Sequence, residues 1–124
     1  KEKPGLATTE CGLVSEDGSR IGLHVVMQVG WSKRTGITTY KFTVFRMNLG
    51  AAQRVYQLQI NAVAHAPKNW HEIVHEHMGD ARIDGSSEWL KWGFDEALDY
   101  FCKRANITFK PPLDDPFAFE LRPS

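Results

Sequence analysis

The stretch "IGLHVVMQVGW", residues 21–31, decides the fold. Every odd-numbered position in it is apolar: Ile21, Leu23, Val25, Met27, Val29 and Trp31. The even-numbered positions between them are mixed and include a histidine, a glutamine and two glycines. Successive side chains of a β-strand point to opposite faces, so a period of two predicts a strand with one buried face. The fold is therefore expected to be built on a half-buried sheet.

Turn signals flank this strand on both sides. Asp17-Gly18 precedes it and tolerates positive φ, which predicts a hairpin from a strand that ends near Ser15. The polar residues 32–36 follow it and lead into "ITTYKFTVFRM", residues 37–47, which is rich in β-branched and aromatic residues. These signals predict a second hairpin whose outgoing strand is central in the sheet.

A third hairpin is predicted after a loop at residues 48–53. Beyond it, apolar residues alternate again with polar ones, at Tyr56, Leu58, Ile60 and Ala62. Consecutive hairpins predict an antiparallel meander of about four strands, with one packed face and one polar face.

The second half of the chain changes to a helical period. Asp95 is predicted to cap a helix beginning at Glu96, and Asn106 is predicted to end it. An apolar stripe runs along that helix, through Ala97, Leu98, Phe101, Cys102 and Ala105. The predicted fold is α+β, a single domain over residues 1–124 with one main C-terminal amphipathic helix packed on the sheet.

Composition excludes several classes of protein. The chain has 124 residues, of which 42% are hydrophobic, enough for the core of one domain. No stretch approaches the roughly 18 apolar residues of a membrane-spanning helix, and residues 1–5 lack the apolar segment of a secretion signal. We expect a cytoplasmic protein without a membrane partner.

The net charge of zero hides an asymmetry along the chain. Residues 18–71 contain no Asp or Glu but seven cations: Arg20, Lys33, Arg34, Lys41, Arg46, Arg54 and Lys68. Such a segment either attracts phosphate backbones or pairs with the acidic second half of the chain, and the sequence leaves both open. If it binds RNA, the expected contacts are from Lys33, Arg34, Lys41 and Arg54, with aromatic residues stacking on bases, namely Tyr40, Tyr56 and Trp70.

The segment "WHEIVHEHMGD", residues 70–80, has two possible structures. As a helix, its H-E-x-x-H match at His71 and His75 resembles a zinc-peptidase motif, and a zinc site would use His71, His75 and His77. Nearby Pro67, Gly79 and Gly85 leave little room for that helix. As a strand, the segment puts His75 and His77 on one face, about 7 Å apart along the backbone.

Two imidazoles placed in this way can exchange protons near neutral pH, with Asp80 as the residue that orients one of them. The structural alternative is that the histidines cap backbone groups in a tight connection. The sequence leaves this choice open.

The residues "HEHMGDARIDGSSEWLKWGFDEAL", 75–98, preceded by "VFRMNLG", 44–50, resemble the toxin members of the TumE-like families and related small bacterial families of unknown function. Those families have a basic β-rich half with an R-x-D/N element, then H-x-H-x-G-D, then one amphipathic helix. The matching residues here are Arg46, Asn48, His75, His77, Gly79 and Asp80, followed by the helix from Asp95 to Arg104. The resemblance spans about residues 40–107; the families commonly have aspartate at the position of Asn48 and a further histidine at that of Val74.

The resemblance implies a toxin-antitoxin or mobile-element protein with a cognate antitoxin, and RNA cleavage is the activity usually proposed for such toxins. Our first hypothesis is a metal-independent endoribonuclease without a cofactor. His75 and His77 would transfer protons, Arg46 and Arg82 would stabilise the phosphorane charge, and Asp80 would orient. The second hypothesis is a non-catalytic interaction module, such as an antitoxin partner or a phage-encoded inhibitor of bacterial defence. A homodimer is compatible with either hypothesis.

Overall fold

A computed structural model describes residues 5–32, 34–63, 68, 73–110, 113 and 116. Within them, six strands form one sheet, each paired antiparallel with the next along the chain. The strands are β1 (Leu6–Val14), β2 (Arg20–Trp31), β3 (Thr38–Asn48), β4 (Ala51–Ala62), β5 (Val74–Met78) and β6 (Ala81–Asp84). A 3₁₀ helix (Ser87–Lys91) and an α-helix, α1 (Phe94–Ala105), follow. Neither described helix has the length and apolar composition needed to cross a membrane.

The predicted α+β class and meander are confirmed, but the sheet has six strands rather than about four. The additional strands are β5 and β6, which form a short hairpin within the histidine-rich half of the chain. Their two-residue turn, Gly79-Asp80, uses a positive φ of 60° at Gly79. With five and four residues, these strands are too short to show a clear period of two.

The predicted loop at residues 48–53 is much shorter than expected. The chain reverses at Leu49 and Gly50 alone, both at positive φ, and β4 begins at Ala51. Two residues at positive φ are what a tight hairpin needs, because this turn matches the twist of the strands. The sequence "AAQ" at residues 51–53 does not alternate between apolar and polar residues, so it gives no local indication of a strand.

The alternation of β2 is confirmed over most of its length. Val25, Met27 and Val29 are buried. Ile21, however, is 47% exposed. Its neighbour Gly22 has a φ of 73°, and pairing with β3 begins only at Leu23, so the first residues of β2 extend beyond the core.

The hydrophobic core lies between α1 and one face of the sheet, which we call the helix face. Among the described residues, fifteen apolar ones are buried in it: Val25, Met27, Val29, Tyr40, Phe42, Val44, Tyr56, Leu58, Ile60, Val74, Trp89, Leu90, Phe94, Ala97 and Phe101. Phe42 of β3 lies at its centre, with ring centroids 6.0 Å from Phe94 and 5.5 Å from Phe101, both edge to face. The predicted helix stripe thus packs on the sheet as expected.

The predicted N-cap of α1 is wrong, whereas the predicted end of the helix at Asn106 is confirmed. The N-cap is Gly93 instead of Asp95, and its backbone N–H donates to Glu96 Oε1 at 3.0 Å. Asp95 lies in the first turn, where its carboxylate interacts favourably with the positive end of the helix. Asn106 ends the helix in the left-handed conformation, with a φ of 57°.

A β-bulge in β4 changes which side chains share a face. Val44 of β3 pairs with Tyr56, whereas the next residue, Phe45, pairs with Arg54, so that Val55 is the extra residue. A bulge re-aims the side chains on its far side. The guanidinium of Arg54 therefore joins the face opposite the helix, next to Phe45.

Candidate functional site

The face opposite α1 carries the histidine pair, and we call it the histidine face. Cross-strand pairing sets its residues in rows. One row runs across four strands through Thr43, Gln57, His77 and Arg82. The adjacent row runs through Lys41, Gln59, His75 and Asp84. The sheet thus brings together side chains of four strands, from Lys41 to Asp84.

His75 and His77 are in direct contact on β5. Their ring centroids are 4.8 Å apart, with the rings perpendicular. His75 is 7% exposed and His77 is half-buried. Because residues 74–78 are a strand, the structure has the extended arrangement at His75 and not the helix of a zinc peptidase. His71, the first residue of that motif, lies outside the described residues.

Both imidazoles are held in the neutral form by their surroundings. Burial lowers the pKa of His75 to about 4, with Arg82 and His77 adding repulsion and Asp84 acting in the opposite direction. The pKa of His77 is also lowered, first by burial and then by Arg54, Arg82 and Lys41. A neutral imidazole is able to accept a proton, so the pair has the protonation state of a general base near pH 7.

One nitrogen of the pair is buried without a partner. His75 Nδ1 makes no hydrogen bond to any group in the part of the chain that the structure describes. Buried polar atoms without partners are rare and costly in folded proteins, and they mark strain or a binding role. The interpretation that the imidazoles only cap backbone groups does not account for this atom.

Three cations influence the histidine pair: Lys41, Arg54 and Arg82. Arg46, which was predicted to act with them, does not lie among them. It pairs with Leu23 of β2 and Gln53 of β4, on the helix face of the sheet. The bulge in β4 brings Arg54 to the histidine face, where Arg46 was expected. The spacing of residues in the sequence does not reveal such a bulge.

The acidic neighbour of the pair also differs from the expected one. Asp80 is exposed in the turn between β5 and β6, whereas Asp84 is the cross-strand partner of His75. Sequence reasoning missed Asp84. The Gly79-Asp80 turn was the available signal, because a two-residue turn there sets Met78 against Ala81 and, by counting outward, His75 against Asp84.

The aromatic residues expected to stack on bases lie elsewhere. Tyr40 and Tyr56 are 5% and 3% exposed, within the core on the helix face. This burial is incompatible with stacking on an RNA base at the surface. Trp70 and the predicted RNA contact Lys33 lie outside the described residues. Arg34 is exposed in the turn between β2 and β3, at the end of the sheet away from the β5–β6 turn.

A solvent-facing hollow of about 410 Å³ lies next to Gln57, the cross-strand partner of His77, and neither His75 nor His77 lines it. It is lined by Phe45, Ala52, Gln53, Arg54, Gln57, Gly79 and Asp80. Gln57, the cross-strand partner of His77, donates from Nε2 to Thr43 Oγ1 at 2.9 Å and accepts at Oε1 from Arg54 Nη1 at 3.5 Å. These bonds hold Arg54 at the wall of the hollow.

Glu76 lies between the two histidines in sequence but on the helix face. Although it is only 3% exposed, its carboxylate accepts three hydrogen bonds. The donors are Tyr56 Oη at 2.6 Å, Tyr100 Oη at 3.0 Å and Arg104 Nε at 3.0 Å. Burial, followed by the bond to Glu76, raises the pKa of Tyr100 to about 12. The cluster fastens α1 to β5 and so fixes the strand that carries the histidine pair.

The described residues contain no group of three or more His, Cys, Asp or Glu side chains arranged to hold a metal ion. The alternative zinc set of His71, His75 and His77 includes a residue that the structure does not describe. No protein-family model, curated protein or solved structure is significantly similar to this chain.

Proposed function

We propose that the chain binds single-stranded RNA on its histidine face and cleaves it without a metal at His75 and His77. The observation that carries this proposal is the pair itself, two imidazoles in edge contact. His77 is the cross-strand partner of Gln57, which lines the hollow. Cations attract the phosphate backbone to this place, and they are Lys41, Arg54 and Arg82. The resemblance of the H-x-H-x-G-D segment to TumE-like toxins favours the same activity.

The reaction that fits these groups is an internal transesterification. The 2′-oxygen attacks phosphorus, and the bond from phosphorus to the 5′-oxygen breaks, giving a 2′,3′-cyclic phosphate and a 5′-hydroxyl end. A neutral imidazole takes the proton of the 2′-hydroxyl, and a protonated imidazole gives one to the leaving 5′-oxygen. Arg54 and Arg82 stabilise the negative charge that develops on the phosphorane oxygens.

The half-buried His77 has the better access to substrate, and the more buried His75 contacts its ring. A bound phosphate dianion or diester favours the imidazolium form, because an opposite charge nearby raises the pKa of a histidine. RNA binding therefore supplies the protonated partner that the free protein lacks near pH 7.

The test is cleavage of a fluorescent single-stranded RNA by matched pairs of variants. His77→Ala should lower the rate by about 10²- to 10⁴-fold, the usual contribution of a general acid or base. Lys103→Ala is its control, because Lys103 is exposed in the last turn of α1, on the opposite side of the sheet from the pair. Arg82→Ala should lower the rate by at least roughly tenfold, whereas Arg46→Ala, an exposed arginine on the helix face, should change it less than about twofold.

Folding of each variant is checked by circular dichroism and thermal unfolding. His75→Gln serves beside His75→Ala, because it keeps a polar side chain in the buried position. Wild-type cleavage by the folded double variant His75→Gln/His77→Ala would remove the pair from the mechanism. Equal losses in Arg46→Ala and Arg82→Ala would show that the histidine face is not the site.

A second candidate function is the non-catalytic interaction module. Exposed apolar side chains at one end of the sheet favour it: Val14, Ile21, Met47 and Leu49, the last of them fully exposed. These residues lie near the β1–β2 and β3–β4 turns. Exposed apolar groups of this kind are typical of protein contacts. Absence of RNA binding at low salt would favour this function over the first.

A further inference from the structure

We propose that the hollow lined by Phe45, Gln57 and Asp80 is a nucleobase subsite that selects an unpaired guanine, with Phe45 stacking on the base and Asp80 binding its Watson–Crick edge. This inference rests on the proposed RNA-directed function and adds a sequence preference to it. Such a subsite has three parts: an aromatic ring that stacks on the base, a carboxylate whose two oxygens act as a paired acceptor, and a cation that binds the neighbouring phosphate. The hollow has all three.

The aromatic wall is Phe45 of β3. Its ring is half-buried and stacks on His24, with centroids 5.5 Å apart and planes 27° from parallel. This contact with its cross-strand neighbour on β2 orients the ring at the edge of the hollow. Unpaired bases bind to RNA-recognition surfaces by stacking on such aromatic rings, whatever the base. Phe45 therefore supplies affinity without selecting a base.

The paired acceptor is the carboxylate of Asp80. Asp80 lines the hollow and is exposed, in a turn fixed by the β5–β6 hairpin. The Watson–Crick edge of guanine carries two adjacent donors, N1–H and the 2-amino group, which match the two oxygens of a carboxylate. Adenine, cytosine and uracil each offer one donor group on that edge. A carboxylate at this wall thus favours guanine, as bidentate pairs do in base recognition.

The cation is Arg54, which lines the same hollow. Its bond to Gln57 Oε1 keeps it at the wall, and Gln57 is the cross-strand partner of His77. A base held between Phe45 and Asp80 would therefore have its phosphodiester near both Arg54 and His77. This geometry predicts cleavage next to the bound guanine.

The test measures binding of 2′-O-methyl pentanucleotides, which cannot be cleaved by this reaction. The set is UUGUU, UUIUU, UUAUU, UUCUU and UUUUU, where inosine lacks the 2-amino group of guanine. Wild-type protein should bind UUGUU roughly tenfold more tightly than UUAUU, with UUIUU between them. Asp80→Asn should abolish this preference and leave affinity for UUAUU within about twofold, because it removes only the paired acceptor.

Two further variants separate the parts of the subsite. Phe45→Leu should weaken binding of all five pentanucleotides, because stacking does not depend on the base. Asp95→Asn is the matched control, because Asp95 is an exposed aspartate in the first turn of α1, on the other side of the sheet. It should keep the guanine preference of the wild type.

The outcomes distinguish this inference from the function on which it rests. Salt-sensitive binding of all pentanucleotides with equal affinity would overturn the guanine subsite while supporting RNA binding. A guanine preference that survives in Asp80→Asn would overturn the subsite as well. No binding of any pentanucleotide, together with no cleavage of RNA, would overturn both proposals.

Discussion

At the scale of single residues, β5 buries two neighbouring polar side chains in opposite ways. Glu76 faces α1 and receives hydrogen bonds from three donors. His75 faces the other side, is 7% exposed and has one nitrogen without a partner. A buried carboxylate is tolerated when several donors satisfy it, whereas a buried imidazole remains neutral. The first arrangement stabilises the fold, and the second leaves a group available for chemistry.

The neutral state of His75 predicts how stability depends on pH. Its pKa is 6.5 in an ordinary environment and about 4 in the folded chain, so the unfolded chain binds more protons between these values. The stabilisation is complete above pH 6.5 and is lost as the pH falls toward 4. We expect the free energy of unfolding, measured with urea, to fall over this range less steeply in His75→Gln than in the wild type. The lowered pKa of His77 acts in the same direction and remains in both proteins.

Parallel pH dependences in the two proteins would contradict the burial of a neutral imidazole at this position. NMR titration of the histidine ring protons measures the pKa of His75 directly. The His75 signals should titrate near pH 4, well below the 6.5 of an ordinary histidine.

At the scale of elements, the β5–β6 hairpin sets the histidine pair against its neighbours. Its turn sets His77 opposite Arg82 and His75 opposite Asp84. Gly79 has a φ of 60°, a conformation in which a side chain is disfavoured. The turn thus depends on one glycine, although no other atom lies within 4 Å of the place where its Cβ would be.

Two glycine substitutions test this dependence as a matched pair. Gly79→Ala should destabilise the protein by about 1 kcal/mol, because alanine disfavours the left-handed region. Gly12→Ala should cause no loss, because Gly12 lies within a strand, without a positive φ and with the same open surroundings. Thermal unfolding of both variants measures the difference. Equal melting temperatures for the two variants would show that the turn does not depend on glycine at position 79.

The long elements were predictable from sequence, and the short ones were not. The alternation over residues 21–31 and the stripe from Ala97 to Ala105 extend over enough residues to show their periods. The hairpin of β5 and β6 offers only nine strand residues, split by a turn. β5 pairs with β4 in the folded sheet and β6 pairs with β5, so these short strands form through contacts outside their own sequence.

At the scale of the whole molecule, the meander gathers cations from three strands on one face: Lys41 of β3, Arg54 of β4 and Arg82 of β6. Chain segments that are separate in sequence thus give one positive region, although the net charge of the chain is zero. Binding of a phosphate backbone by these residues releases counterions, so affinity depends on salt.

This arrangement predicts a measurable salt dependence. If three phosphates of a single-stranded RNA are contacted, the logarithm of affinity should fall with the logarithm of salt concentration with a slope of about −2. Arg82→Ala should make the slope shallower by about 0.7, and Arg46→Ala should leave it unchanged. Anisotropy titrations with a 2′-O-methyl oligonucleotide between low and moderate salt measure both slopes. A slope near zero would favour the interaction module.

By itself, the sequence determined the antiparallel meander, the C-terminal helix and the inward faces of β2 and of β4 from Tyr56 onward, because these follow from periods within one continuous segment. The tertiary structure decided which polar side chains meet. The bulge in β4 turned Arg54 to the histidine face, and register put Arg46 on the other. Glu76 found its partners 20 to 28 residues away along the chain. Contacts of this kind depend on the register between strands that are distant in sequence, and a local residue pattern does not predict that register.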